Sequence, residues 1–154
     1  MVRVRAVAMK LLTFQAKRFR WKKFSQTIPD SPCTPPADGK STEPELEQTV
    51  EGAVVVFLHA EQKDADDRAS VFRQTLKHVK WLANKRGLRS VVLHSFTHLG
   101  AENAAPDFAR AFMEELAERL RATGYSVWIT PFGWFCEWDL SVHGDSLAKV
   151  WKEV

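Results

Sequence analysis

The sequence predicts a single α/β domain built on a mixed sheet with packing helices. Three observations lead there. Ala53–Leu58 and Ser90–His94 are short apolar runs of the kind that form strands covered on both faces. Each is followed by a segment of helical period, and such crossover helices favour parallel strand neighbours. The short Pro131-Phe132-Gly133 connection between two later strand candidates favours an antiparallel hairpin. A chain of 154 residues suits one core.

The elements follow in chain order. Residues 1–8 read as a basic amino-terminal extension, and the domain as residues 9–154. Over residues 9–24, Leu11, Leu12, Phe14, Phe19, Trp21 and Phe24 are interleaved with polar and basic residues without a sustained helical period. That pattern predicts two antiparallel strands with a turn near Ala16 to Arg18. Residues 29–49 contain Pro29, Pro32, Pro35, Pro36, Gly39 and Pro44, which predicts an irregular loop insertion.

After the Ala53–Leu58 strand, a helix is expected to begin near Asp64 to Asp67 and to end by Gly87. Val71, Phe72, Leu76, Val79 and Leu82 or Ala83 form its apolar stripe. A second helix runs from Pro106, tolerated in a first turn that has no N–H bond to lose, to about Arg121. Phe108, Phe112, Leu116 and Leu120 mark its buried side. Ser126–Thr130 is a strand. In the next strand, 134–142, Trp134, Cys136, Trp138, Leu140 and Val142 share one face, and Glu137, Asp139 and Ser141 the other. A last helix is expected after Gly144, capped by Asp145, with Leu147, Val150 and Trp151 buried.

The net charge of +3 is uneven: residues 1–25 hold eight basic side chains and no acidic one. Such a segment attracts anionic partners or simply faces water. Arg18, Arg20, Lys22 and Lys23 are its candidate RNA contacts. Cys33 and Cys136 are the two cysteines, and a single pair without a secretory leader suits a cytosolic location. No stretch of eighteen apolar residues is present, so no membrane span is expected.

Phosphate loops, dinucleotide fingerprints, His-Glu-x-x-His and paired Cys-x-x-Cys motifs are absent from the sequence. His94 and His98 lie four apart at a strand exit rather than on a helix, so their side chains need not converge on zinc, and no metal or other cofactor is expected. Ser95 with either histidine as its base is a formal nucleophile pair, but ordinary hydrogen bonding explains the same residues more simply.

Taken in order, Leu93-His94-Ser95-Phe96-Thr97-His98-Leu99, Gly124-Tyr125-Ser126-Val127, Thr130-Pro131-Phe132-Gly133-Trp134, Ser141-Val142-His143-Gly144 and Leu147-Ala148 resemble the amino-terminal editing domain of archaeal threonyl-tRNA synthetases. Met9-Lys10-Leu11-Leu12 extends the resemblance back to residue 9. That family is related in fold to D-aminoacyl-tRNA deacylases, and its members hydrolyse serine wrongly attached to threonine tRNA. The resemblance therefore implies a D-aminoacyl-tRNA deacylase-like fold and a homodimer. Its substrate would be a tRNA terminal adenosine carrying an ester-linked amino acid, opened by water without a metal or covalent intermediate.

Residue by residue, His98 matches the family histidine near the terminal nucleotide, Phe132 the phenylalanine after proline, and Phe135 an aromatic beside the pocket. Cys136 stands where the family has a lysine associated with catalysis, and Lys149 where an acidic residue is expected. Gln15 and Lys17 replace a histidine and an acidic residue on the first strand. Two readings follow: a hydrolase that releases L-serine from seryl-tRNA, or a noncatalytic module that binds a tRNA end or a separate synthetase. A purely structural protein is a third.

Overall fold

A computed structural model describes residues 9–27, 47–97, 99 and 104–154. The 1–8 extension, the 29–46 part of the expected loop, Cys33 and His98 lie outside the described residues. The described elements are β1 (Lys10–Gln26), β2 (Glu47–His59), a 3-10 turn (Gln62–Ala65), α1 (Arg68–Lys85), β3 (Ser90–Ser95), α2 (Pro106–Ala122), β4 (Ser126–Ile129), β5 (Trp134–Val142) and β6 (Lys149–Glu153).

They form one mixed sheet in the order β4-β3-β2-β1-β5, with β6 also on β1. β2, β3 and β4 run parallel, joined by α1 and α2, while β1 is antiparallel to β2, β5 and β6. The α/β class with a mixed sheet is therefore as expected.

β1 corrects the expected strand pair. It is a single strand of 17 residues, with β2 along one edge and β6 then β5 along the other. The feature read as a turn near Ala16 to Arg18 is a bulge, where the register against β5 shifts between Ala16 and Arg18. One extra residue reverses which parity faces which side. Leu11, Thr13 and Gln15 thus point to the helices, whereas Ala16, Phe19 and Trp21 pack on the opposite face. In one dimension, a change of parity looks like a reversal of the chain.

Two further expectations change. β4 and β5 do not form a hairpin: β4 pairs with β3 and β5 with β1, so the Pro131-Phe132-Gly133 link carries the chain from one side of the sheet to the other. The expected last helix is a short 3-10 turn, Ser146–Ala148, followed by β6. Lys10–Phe14 offers an unpaired edge beyond the end of β5, and backbone pairing there satisfies both segments. Leu147 and Val150 do pack on the core, but Trp151 is 47% exposed and Asp145 binds Arg86 instead of capping. β2 begins at Glu47, inside the stretch read as loop.

Both helices cover one face of the sheet. Val71, Phe72, Val79 and Leu82 of α1 and Phe112, Leu116 and Leu120 of α2 are buried against Val54, Val56, Val91, Leu93 and Val127. Each such side chain contributes about 1.5–3 kcal/mol of apolar burial. Among the described residues no helix covers the other face, and the sheet curls to cover itself. β3 and β5 are separated by two strands, roughly 14 Å in a flat sheet, yet the Trp138 ring centroid lies 6.4 Å from that of His94 and 5.4 Å from that of Phe57.

Candidate active site

The curl leaves a cleft of about 540 Å³ beyond the carboxyl ends of the parallel strands, where open α/β sheets commonly bind ligands. His94, Ser95, Phe96 and Thr97 come from the end of β3, and Phe132 from the β4–β5 link. Trp134, Phe135 and Cys136 come from the start of β5, with Trp138 further along. Pro106 and Ala109 of α2 close the remaining side. Among the described residues, no Asp, Glu, Lys or Arg lines it. The described part of the wall is therefore aromatic, with a few hydroxyls, one imidazole and one thiol.

Of the residues singled out from the sequence, the structure brings His94, Ser95, Phe132, Phe135 and Cys136 together here. Phe132 is buried, and Phe135 is 56% exposed at the rim. Cys136 is half-buried, with Sγ 4.0 Å from the Trp134 carbonyl. Burial pushes its thiol up to about 11, partly opposed by the Lys23 charge, so it stays protonated at neutral pH. His98 lies outside the described residues; its neighbour Thr97 lines the cleft, and the Leu99 N–H donates to His59 Nδ1 at 3.1 Å.

Gln15, Lys17 and Lys149 do not line this cleft. Gln15 is fully buried on the helix side, where its amide donates to the Leu82 carbonyl at 2.8 Å and accepts from Arg86 Nε at 3.0 Å. Lys17 is exposed on β1. Lys149 is exposed at the start of β6, with Nζ 3.4 Å from the Gly144 carbonyl.

The basic strand is less uniform in space than in sequence. Arg20 is held by Asp139 at 2.7 Å and Glu47 at 3.0 Å, with Glu137 at 3.9 Å, and these hydrogen bonds raise its pKa. Acids from β2 and β5 thus meet a strand that has none of its own. Arg18 is exposed, and Lys22 is partly so. Lys23, opposite Cys136 in the β1–β5 register, places its ammonium 4.9 Å from the Trp134 ring centroid, at the cleft edge.

Trp134 and Trp138 are cleft residues that the sequence did not single out, and His94 was weighed there only as a zinc ligand or a base for Ser95. Trp134 Nε1 is buried and without a partner among the described residues. The usable signal was position: side chains at the exits of parallel strands, and at the start of the strand following the 131–133 link, share one rim whatever their type.

Residues 9–154 match the family model described as the Archaea-specific editing domain of threonyl-tRNA synthetase. Among curated proteins, a threonine-tRNA ligase of Hyperthermus butylicus is 28% identical over 145 residues, 92% of this chain. One of Staphylothermus marinus is 29% identical over 147 residues, 95% of this chain. The chain spans 22% of the length of each. Among solved structures, c-Myc DNA Unwinding Element Binding Protein superposes with a TM-score of 0.58 at 12% identity, covering 94% of this chain and 98% of that one. The expected D-aminoacyl-tRNA deacylase-like fold is the fold found.

Proposed function

Since the chain belongs to the Archaea-specific editing domains of threonyl-tRNA synthetase, we propose that its cleft hydrolyses the ester of a mischarged threonine tRNA and releases L-serine. The observation that carries this reading is the aromatic cleft at the strand ends, whose described wall holds no Asp, Glu, Lys or Arg, with Phe132 inside and Phe135 at the rim. Flat apolar walls accept the adenine and ribose of a tRNA end, and hydroxyls and backbone N–H groups can hold an ester carbonyl as it becomes an oxyanion. Water is the nucleophile: it adds to the carbonyl carbon, the bond to the ribose oxygen breaks, and that oxygen takes the proton. His98 is proposed beside the terminal nucleotide. Cys136, a protonated thiol, is a wall residue in this scheme. Arg18, Lys22 and Lys23 are the proposed phosphate contacts, Arg20 being already held by Asp139 and Glu47. Of the substrate contacts that the resemblance implies, Lys17 and Lys149 remain proposed while Gln15, fully buried on the helix side, does not. A homodimer, a separate synthetase and a cytoplasmic location belong to the same proposal.

One observation favours the alternative, a noncatalytic module that binds the tRNA end: neither Cys136 nor Lys149 brings a charged group into the cleft. The experiment follows amino-acid release from seryl-tRNA and threonyl-tRNA by the purified chain, against spontaneous hydrolysis. Faster release of serine than of threonine, retained in Cys136→Ser, is the expected outcome. Saturable tRNA binding without release establishes the noncatalytic module, and a trapped acyl-thioester on Cys136 overturns the water mechanism.

A further inference from the structure

His94 is the least explained polar group in the cleft. Its ring is almost fully buried at the end of β3, packed 5.0 Å from the Phe57 ring, 6.2 Å from Phe96 and 6.4 Å from Trp138, centroid to centroid. Nδ1 is anchored 2.8 Å from the Thr130 hydroxyl, itself 2% exposed, and the Thr130 N–H is fixed to the Leu93 carbonyl at 3.0 Å. Thr130 lies outside the cleft wall while His94 is part of it, which leaves the ring edge carrying Nε2 to meet the cleft. Among the described residues Nε2 has no hydrogen-bond partner, nor is it a sealed orphan atom. Cores that bury a histidine for packing alone usually satisfy both nitrogens. Here one nitrogen is clamped and the other is presented.

We infer that His94 is a further catalytic residue, whose Nε2 accepts a hydrogen bond from the hydrolytic water and aims its oxygen at the ester carbonyl. This deepens the editing proposal and rests on it. With Nδ1–H donating to Thr130 Oγ1, the Nε2 lone pair faces the cleft. The water donates one O–H to it, its oxygen bonds to the carbonyl carbon, the ester C–O bond breaks, and the ribose oxygen receives the water's proton. The imidazole ends as it began. Burial holds its pKa down to about 4, so it is neutral and hydrogen-bonding throughout the physiological range, which suits orientation better than bulk proton removal.

The test measures kcat and KM for seryl-tRNA deacylation by the full chain and its variants. His94→Ala is expected to lower kcat about 100-fold with KM within about twofold, the cost of a misplaced nucleophile. Added imidazole should restore part of the kcat. His94→Gln, which carries an amide to the position of Nε2, should recover most of it, whereas His94→Asn, which reaches only to Nδ1, should not. If His94→Ala does not fold, Thr130→Val serves instead: freeing the ring should lower kcat about tenfold at constant KM. Wild-type turnover with an unchanged kcat in His94→Ala, or in Thr130→Val where that stands in, overturns the inference and leaves editing standing. A loss confined to KM also overturns it. Absence of seryl-tRNA turnover by the wild type removes the editing proposal and this inference together.

Discussion

Gln15→Leu separates a structural role from the substrate role that the resemblance implies for this position. The last carbonyls of a helix have no intrahelical donor. At the end of α1 the Arg86 and Leu88 N–H groups turn to the Ala83 carbonyl, and Gly87 N–H to Asn84. Leu82 O instead receives the Gln15 amide at 2.8 Å, from a side chain with no exposed surface. The same amide accepts from Arg86 Nε at 3.0 Å, and Arg86 continues to Asp145, tying α1, β1 and the segment before β6 into one network. Leucine keeps the volume but leaves a buried carbonyl unsatisfied, which costs about 1–3 kcal/mol, and removes a charge-assisted bond worth about 1.5–3 kcal/mol. Partial relaxation of the guanidinium toward Asp145 brings the total to about 3 kcal/mol. For a chain of this size the melting temperature should fall by roughly 6–12 °C, read by far-ultraviolet circular dichroism, with the urea m-value unchanged. A fall of less than about 2 °C, coupled to a selective rise in KM for seryl-tRNA, would refute the capping argument and place Gln15 at the substrate.

Two other measurements follow. His94 and His78 are both held down to about 4 by burial, below their ordinary 6.5. The unfolded chain therefore binds more protons between those values, and stability is full above pH 6.5 and falls as pH drops toward 4. The His94 contribution alone is on the order of 3 kcal/mol, so the urea midpoint should decline less steeply over that window in His94→Gln; identical slopes would refute the burial argument. On the basic strand, neutralising Arg18, Lys22 and Lys23 should weaken RNA binding and flatten its salt dependence by about one in the logarithmic slope for each lost phosphate contact. Arg20→Gln should change it least, because Asp139 and Glu47 already hold that guanidinium; an equal effect from Arg20 would mean that RNA displaces the acids.

Hydrophobic period alone determined much of this protein. The uninterrupted Val-rich runs of β2 and β3 and the four-residue spacing of Phe108, Phe112, Leu116 and Leu120 are local patterns, and local patterns survive folding unchanged. So did the order of short motifs, which carried the family and with it Phe132, Phe135 and Cys136 of the cleft wall. Pairing partners were another matter. Whether residues 9–24 form two strands or one, whether β5 returns to β4 or crosses to β1, and whether 146–153 coils or pairs all depend on which distant edge is free to satisfy backbone N–H and C=O groups. Charge followed the same division: eight basic residues near the amino terminus are a property of the chain, but the acids that face Arg20 arrive from β2 and β5. His94 shows the limit most clearly. As a residue it was one of two histidines at a strand exit. Only the curl of the sheet, which carries Trp138 across two strands to meet it and sets Thr130 against Nδ1, turned it toward a cleft.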